Sequence, residues 1–219
     1  QTYGLACSIV LDRLCWCDVQ GEKENLERCS LRTSEAMRDL QKEILGFWFE
    51  QTKPNQWFQV NEDFDELVRK QFEGAYDLGR QGILEGWWET PEGCLAYIIL
   101  FDQFPRNMFR GKAKAFATDA KALACAEHAL KKHFDKGLPV IQRRFVYLPF
   151  EHSEDMADQN KAVDLFKSIK DDDPLGYDYA IKHKEVIEKF GRFPGRNKAL
   201  GRENTKEEEV FLSDPNNLF

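Results

Sequence analysis

An all-α fold is predicted by three observations: apolar residues recur at helical spacing along most of the chain, no segment alternates apolar and polar residues convincingly, and the connections are short and centred on Pro or Gly. Short connections imply antiparallel helix pairs. With 219 residues, 42% of them hydrophobic and 13% aromatic, the chain is long and apolar enough to bury a real core.

The elements follow in order. Residues 38–49 (RDLQKEILGFWF) place Leu40, Ile44, Phe47 and Trp48 at helical spacing, and Lys53-Pro54 closes that element. Residues 61–80 put Phe64, Leu67, Val68, Phe72 and Ala75 on one face, with acids crowding the first turn where they suit the helix dipole. Thr90 is an N-cap, Pro91 a first helical residue and Glu92 a first-turn acid for the next helix. From Cys94 to Phe101 that helix is apolar on every side apart from the Tyr97 hydroxyl, which marks an interior strut. Phe104-Pro105 is expected to end it, leaving Asp102 in its last turn. A further helix runs from Thr118-Asp119 to about Phe134 with Leu123, Leu130 and Phe134 inward, and Pro139 opens the next one. Pro149 is expected to stop that helix, and Ser153 to cap another with Val163, Phe166 and Ile169 inward. Asp173-Pro174 opens a helix ending at Phe190-Gly191, and Thr205-x-x-Glu208 is a capping box for a last short one.

Composition excludes several classes. The net charge of −7 rules against a whole-protein attraction to nucleic acid or anionic membrane. No run approaches the ~18 apolar residues that mark a membrane span. Cys94 and Cys125 sit in apolar helical patterns as buried thiols. Cys7, Cys15, Cys17 and Cys29 fit none of the usual zinc spacings and are read as free thiols or a disulfide. The apolar stretch in residues 1–20 is interrupted by Asp12 and Arg13 and makes a poor secretory signal. Residues 1–36 are therefore read as an extension and 37–219 as a single helical domain, cytoplasmic, or organellar after processing.

The strings IILFDQFPRNMFRGKAKAFATDAKAL (98–123), YLPFEHSEDMADQ (147–159), HKEVIEKFGRFPGRN (183–197) and LGRENTKEEEVFL (200–212) resemble the signature of domain-of-unknown-function family 924, as do ILGFWFE and QWF (44–50 and 56–58). The resemblance covers about 40–219. It implies a tetratricopeptide-like, right-handed stack of about eight helices around a concave face, and no established activity.

Helical stripes leave a polar set at the expected helix ends. FDQFPRN (101–107) and GRFPGRN (191–197) share a Phe-Pro pair followed by Arg and Asn, and YLPFEHSED repeats the design. Three proline-broken joints, at 105, 149 and 194, would aim charged neighbours into one groove. Gln103, Arg106, Asn107, Arg110, Arg192, Arg196, Asn197 and Arg202 are candidates to bind an anion, because guanidinium groups match carboxylate or phosphate bidentately. The bland alternative is that these arginines clamp Asp102 and Glu151. Asp102, Glu151, His152 and His183 are the acid–base candidates, since His titrates near neutral pH; the alternative for each His is a hydrogen-bonded structural role. Neither H-x3-H nor H-E-x-x-H occurs, so no metal is expected, and no cofactor motif is present. Three functions follow: a binding module for an anionic small molecule or acidic peptide, a scaffold subunit docking through its N-terminal extension, or a hydrolase or lyase on an anionic substrate.

Overall fold

The structure, a computed structural model, describes the backbone of residues 23–214 and 217, with side chains from 33 onward. Cys7, Cys15, Cys17 and the side chain of Cys29 lie outside the described residues. Among those residues there is no strand, and the chain is all-α. No helix is long and apolar enough to cross a membrane. Two compact units are present, one ending at Met108 and one beginning at Phe109.

In the first unit, α1 (Lys23–Gly46) starts well before residue 38 and passes through Met37 without a break. It buries Ala36, Leu40 and Ile44 and runs into a π-turn, Phe47–Gln51, which the Thr52 amide closes on the Phe47 carbonyl at 3.1 Å. Helix α2 (Glu62–Arg80) is capped by Asn61, whose side chain accepts from the Phe64 amide. Its inward face is Phe64, Val68, Phe72, Ala75 and Tyr76, whereas Leu67 is exposed. Helix α3 (Pro91–Ile98) has the expected Thr90 cap and is buried from Gly93 onward. It does not end at Phe104-Pro105. A second π-turn, Ile99–Gln103, leads directly into α4 (Phe104–Met108). A proline inside an α-helix removes one amide and drives its ring toward the carbonyl four residues back. The wider π-turn immediately before Pro105 is the kind of adjustment that lets a helix absorb that defect and continue. Asp102 therefore lies inside a continuing helical run, away from the unfavourable end of a dipole. Phe72 packs on Phe104 with ring centroids 4.5 Å apart, and Tyr97 on Phe101 at 4.4 Å. Trp48, Trp57 and Trp87 are buried, and Trp88 meets Tyr97 edge-on.

In the second unit, α5 (Asp119–Lys131), α6 (Val140–Glu151), α7 (Met156–Lys167) and α8 (Pro174–Phe190) pack each on the next, followed by α9 (Asn197–Leu200) and α10 (Lys206–Leu212). Helix α5 turns Ala122, Cys125, Ala126 and Ala129 fully inward, and the expected Leu123, Leu130 and Phe134 are only half-buried. Small side chains let the neighbouring helix come close, so the leucines fill the flanks. Pro149 lies inside α6, which ends two residues later at Glu151. The cap of α7 is Asp155, which accepts from the Ala157 amide at 2.7 Å, while Ser153 donates to Asp158 and accepts from the Asp155 amide. Asp173 caps α8, and Gly191 ends it at φ 67°, a left-handed conformation that glycine adopts without a Cβ penalty. Arg144 from α6 grips Asp173 through Nε and Nη2.

Candidate functional site

The expected site residues divide between the two units. In the first, Asp102 and Gln103 occupy the π-turn and Arg106 and Asn107 follow in α4. Asp102 is completely buried. Gln103 Nε2 donates to Asp102 Oδ2 at 2.5 Å, and Arg106 Nη1 lies 3.2 Å from Asp102 Oδ1 while donating to the Asp102 carbonyl. Asn107 Nδ2 donates to Asp65 Oδ1 at 2.8 Å, tying α4 to α2. The Asp102–Arg106 clamp that the sequence suggests is present.

In the second unit the cationic island of 191–202 is threaded with carboxylates from elsewhere. Arg192 forks onto both oxygens of Glu208, at 2.7 and 2.8 Å, and its Nη2 also reaches the Glu203 carbonyl. Arg202 forks onto Glu154 at 2.7 and 2.9 Å and donates to the Phe193 carbonyl, while the Phe193 amide donates back to Glu154. Asn197, fully buried, donates to Asn204 and Glu208. Arg196 lies between the rings of Phe116 and Phe193, at 4.8 and 4.6 Å, donates to the His152 carbonyl at 2.9 Å and faces Asp119 at 3.5 Å. Arg110 is exposed. The two Phe-Pro copies thus do different work: Pro105 sits within a helical run, and Pro194 opens a 3-10 turn leading into α9.

The arginines do not clamp Glu151. Its partner is His183, whose Nδ1 lies 3.2 Å from Glu151 Oε1 and 2.9 Å from the Tyr179 carbonyl. The Tyr179 carbonyl can only accept, so Nδ1 carries a proton. Glu151 is 3% exposed and His183 8%. His152, the C-cap of α6, places its ring 6.3 Å from that of His183, and Phe193 packs edge-on against His183 at 5.5 Å. Gln159 of α7 secures the joint by donating through Nε2 to the carbonyls of Glu151 and Ser153. Gln159 Oε1, Asn197 Oδ1 and Arg202 Nε are buried with no hydrogen-bond partner among the described residues. No group of His, Cys, Asp or Glu among the described residues is arranged to hold a metal.

The electrostatics follow the pairing. The forked hydrogen bond from Arg192, aided by the Thr205 amide, pulls the Glu208 carboxyl down to about 2 against the opposing effect of burial. Burial pushes Glu154 up, but Arg202 and the Phe193 amide outweigh it and its carboxyl sits below the usual range. Sequence reasoning missed Glu154, Asp119 and Gln159 as partners. The available signal was an acid-free run of four cations in a protein of negative net charge, which has to find carboxylates elsewhere.

The family described as bacterial protein of unknown function (DUF924) matches residues 44–216. The chain is also similar to the solved structure of ATU0120, a protein of unknown function from Agrobacterium tumefaciens: 39% identity, TM-score 0.76, covering 80% of this chain and 98% of that one. No curated protein matches the chain.

Proposed function

We propose, from the premise that this chain belongs to the DUF924 family of bacterial proteins of unknown function, that it is a ligand-binding module. The joint between α6, α7 and α8 receives an anionic small molecule. The observation that carries this reading is the buried Glu151–His183 pair with His152 beside it and Arg196 bonded to the His152 carbonyl. Two imidazole rings and a guanidinium lie at this joint, and protonated imidazole and guanidinium are donors suited to a carboxylate or phosphate group. Gln159 Oε1, buried without a partner among the described residues, lies on the residue that secures this joint, and such an atom ordinarily bonds to water or ligand. Arg192 and Arg202 take the role of frame rather than of ligand contacts, because their forks are already on Glu208 and Glu154. The family match over 44–216 includes residues of both units.

The test is a thermal-shift series with inorganic phosphate, citrate and succinate. Stabilisation of the wild-type protein that disappears in H152N and H183N, both still folded by circular dichroism, is the expected result. Equal shifts in all three proteins would remove the reading. A second reading, acid–base catalysis, is favoured by the orientation of His183: a carboxylate on Nδ1 leaves Nε2 as the basic nitrogen, the arrangement of a general base. Hydrolysis of p-nitrophenyl esters or phosphates that is lost in H183N supports it, and turnover that survives H183N excludes it.

A further inference from the structure

One face of α8 is left outside the polar joint. Leu175 and Tyr179 are 58% and 38% exposed, and the stripe continues through Lys182, Val186, Lys189 and Phe190. Its C-terminal half forms one wall of a groove of about 500 Å³, lined by Lys182, Glu185, Val186, Lys189 and Phe190, with Phe211 of α10 and Asn217 completing the lining. Phe190 and Phe211 meet edge-on at 5.0 Å. Lys182 lies over the Tyr179 ring at 5.1 Å, and Lys189 over Phe190 at 4.9 Å and Phe211 at 6.0 Å. Neither lysine forms an ion pair among the described residues, in contrast to Arg192, Arg196 and Arg202, each of which has a carboxylate.

We infer that this groove is a docking site for an acidic, amphipathic segment of a partner protein. Charge complementarity around an apolar floor selects this occupant. Lys182 and Lys189 are seven residues apart on one helix, which sets their backbone positions about 10 Å apart along its axis. A segment carrying two carboxylates at that separation, with an aromatic or leucine side chain between them, meets both ammonium groups and fills the space against Val186, Phe190 and Phe211. Leu175 and Tyr179 extend the apolar track toward the start of α8, so a partner helix longer than the groove has surface to lie on. Glu185 is the single carboxylate of the groove wall against two lysines that form no ion pair among the described residues, so in a protein of net charge −7 the groove keeps a positive balance that favours an acidic partner over a basic one. This inference is independent of the anion site at Glu151 and His183.

The test uses the full 219-residue chain and two fluorescein-labelled synthetic peptides, measured by anisotropy. One carries glutamates seven positions apart with Phe and Leu between them; the other has lysines in place of the glutamates. Lys182 and Lys189 are exposed, so K182E/K189E keeps the fold. The glutamate peptide is expected to bind the wild-type protein, to lose at least tenfold in affinity in K182E/K189E, and to weaken as salt is raised; the lysine peptide should show the reverse preference between the two proteins. Glutamate-peptide binding that is unchanged in K182E/K189E, or absent from the wild-type protein, overturns the inference. So does a concentration-dependent dimer that K182E/K189E abolishes, which assigns the groove to a second copy. Binding seen only after residues 215–219 are deleted also overturns it, because that segment is then the occupant. The H152N and H183N variants are expected to bind the glutamate peptide as the wild-type protein does.

Discussion

Glu208 accepts from the Arg192 guanidinium, from the Thr205 amide and from Asn197 Nδ2, so one carboxylate caps α10 and ties it to the turn after α8. Its folded pKa of about 2 lies below its ordinary value of 4.5. A depressed carboxyl stabilises the fold fully above its ordinary value, and that stabilisation is lost as pH falls through the window from about 4.5 to about 2. Denaturant midpoints measured across this window should fall in the wild-type protein and fall less in E208Q. E208A is expected to lose about 2–3 kcal/mol, since the capping box and the charge-assisted bonds go together. For Arg202 the geometry matters more than the charge. A lysine keeps the cation but cannot fork onto Glu154 while also reaching the Phe193 carbonyl. R202K should therefore lower stability by about 1 kcal/mol in urea unfolding. Tyr147 donates to buried Asp135 at 2.8 Å, and burial together with that carboxylate raises its hydroxyl far above the ordinary tyrosine range. Alkaline spectrophotometric titration should leave it protonated after exposed tyrosines have ionised.

At the scale of elements, close approach decides what can be changed. Gly93 opens α3 against the turn Glu85–Glu89, and a Cβ there would land on the Trp87 carbonyl oxygen, a backbone atom with little freedom to yield. G93A is expected to cost about 3 kcal/mol, at the upper end for overpacking. Gly137 has nothing within 4 Å of the same added atom, and G137A should fall within about 0.5 kcal/mol of the wild-type value. Much of the element order was legible because caps are local: Thr90, Asp173 and Thr205 each bond an amide three residues on, and Gly191 ends α8 with the positive φ its position demands. The π-turns at 47–51 and 99–103 were not, since an apolar run buried on all sides carries no phase from which an extra residue could be read. The same blindness made Pro105 look like a stop. Ser153 was read as a cap because it stands near the start of the acidic run; Asp155, two residues on, supplies the oxygen instead.

Across the whole molecule, charge is distributed unevenly. The net −7 with a pI near 5.3 predicts lowest solubility near pH 5.3, checked by turbidity against pH at low salt. Within that acidic background the arginines of 191–202 are matched by carboxylates, and among the described residues the two lysines of the α8 groove form no ion pair. The identity of the polar residues was legible in the sequence; their pairings were not, because Arg202 meets Glu154 across 48 positions and Arg196 meets Asp119 across 77. His183 is buried on α8, yet nothing in its local spacing pointed to Glu151. The π-turn before Pro105 also limits how this chain can vary in length. Each helical residue advances the chain by about 100° around its axis. Deleting one residue between 99 and 103 would swing Asn107 about a quarter-turn away from Asp65 and carry Phe104 off Phe72. Insertions and deletions at this point are therefore expected to be lethal to folding, whereas changes of residue identity that preserve the count are not.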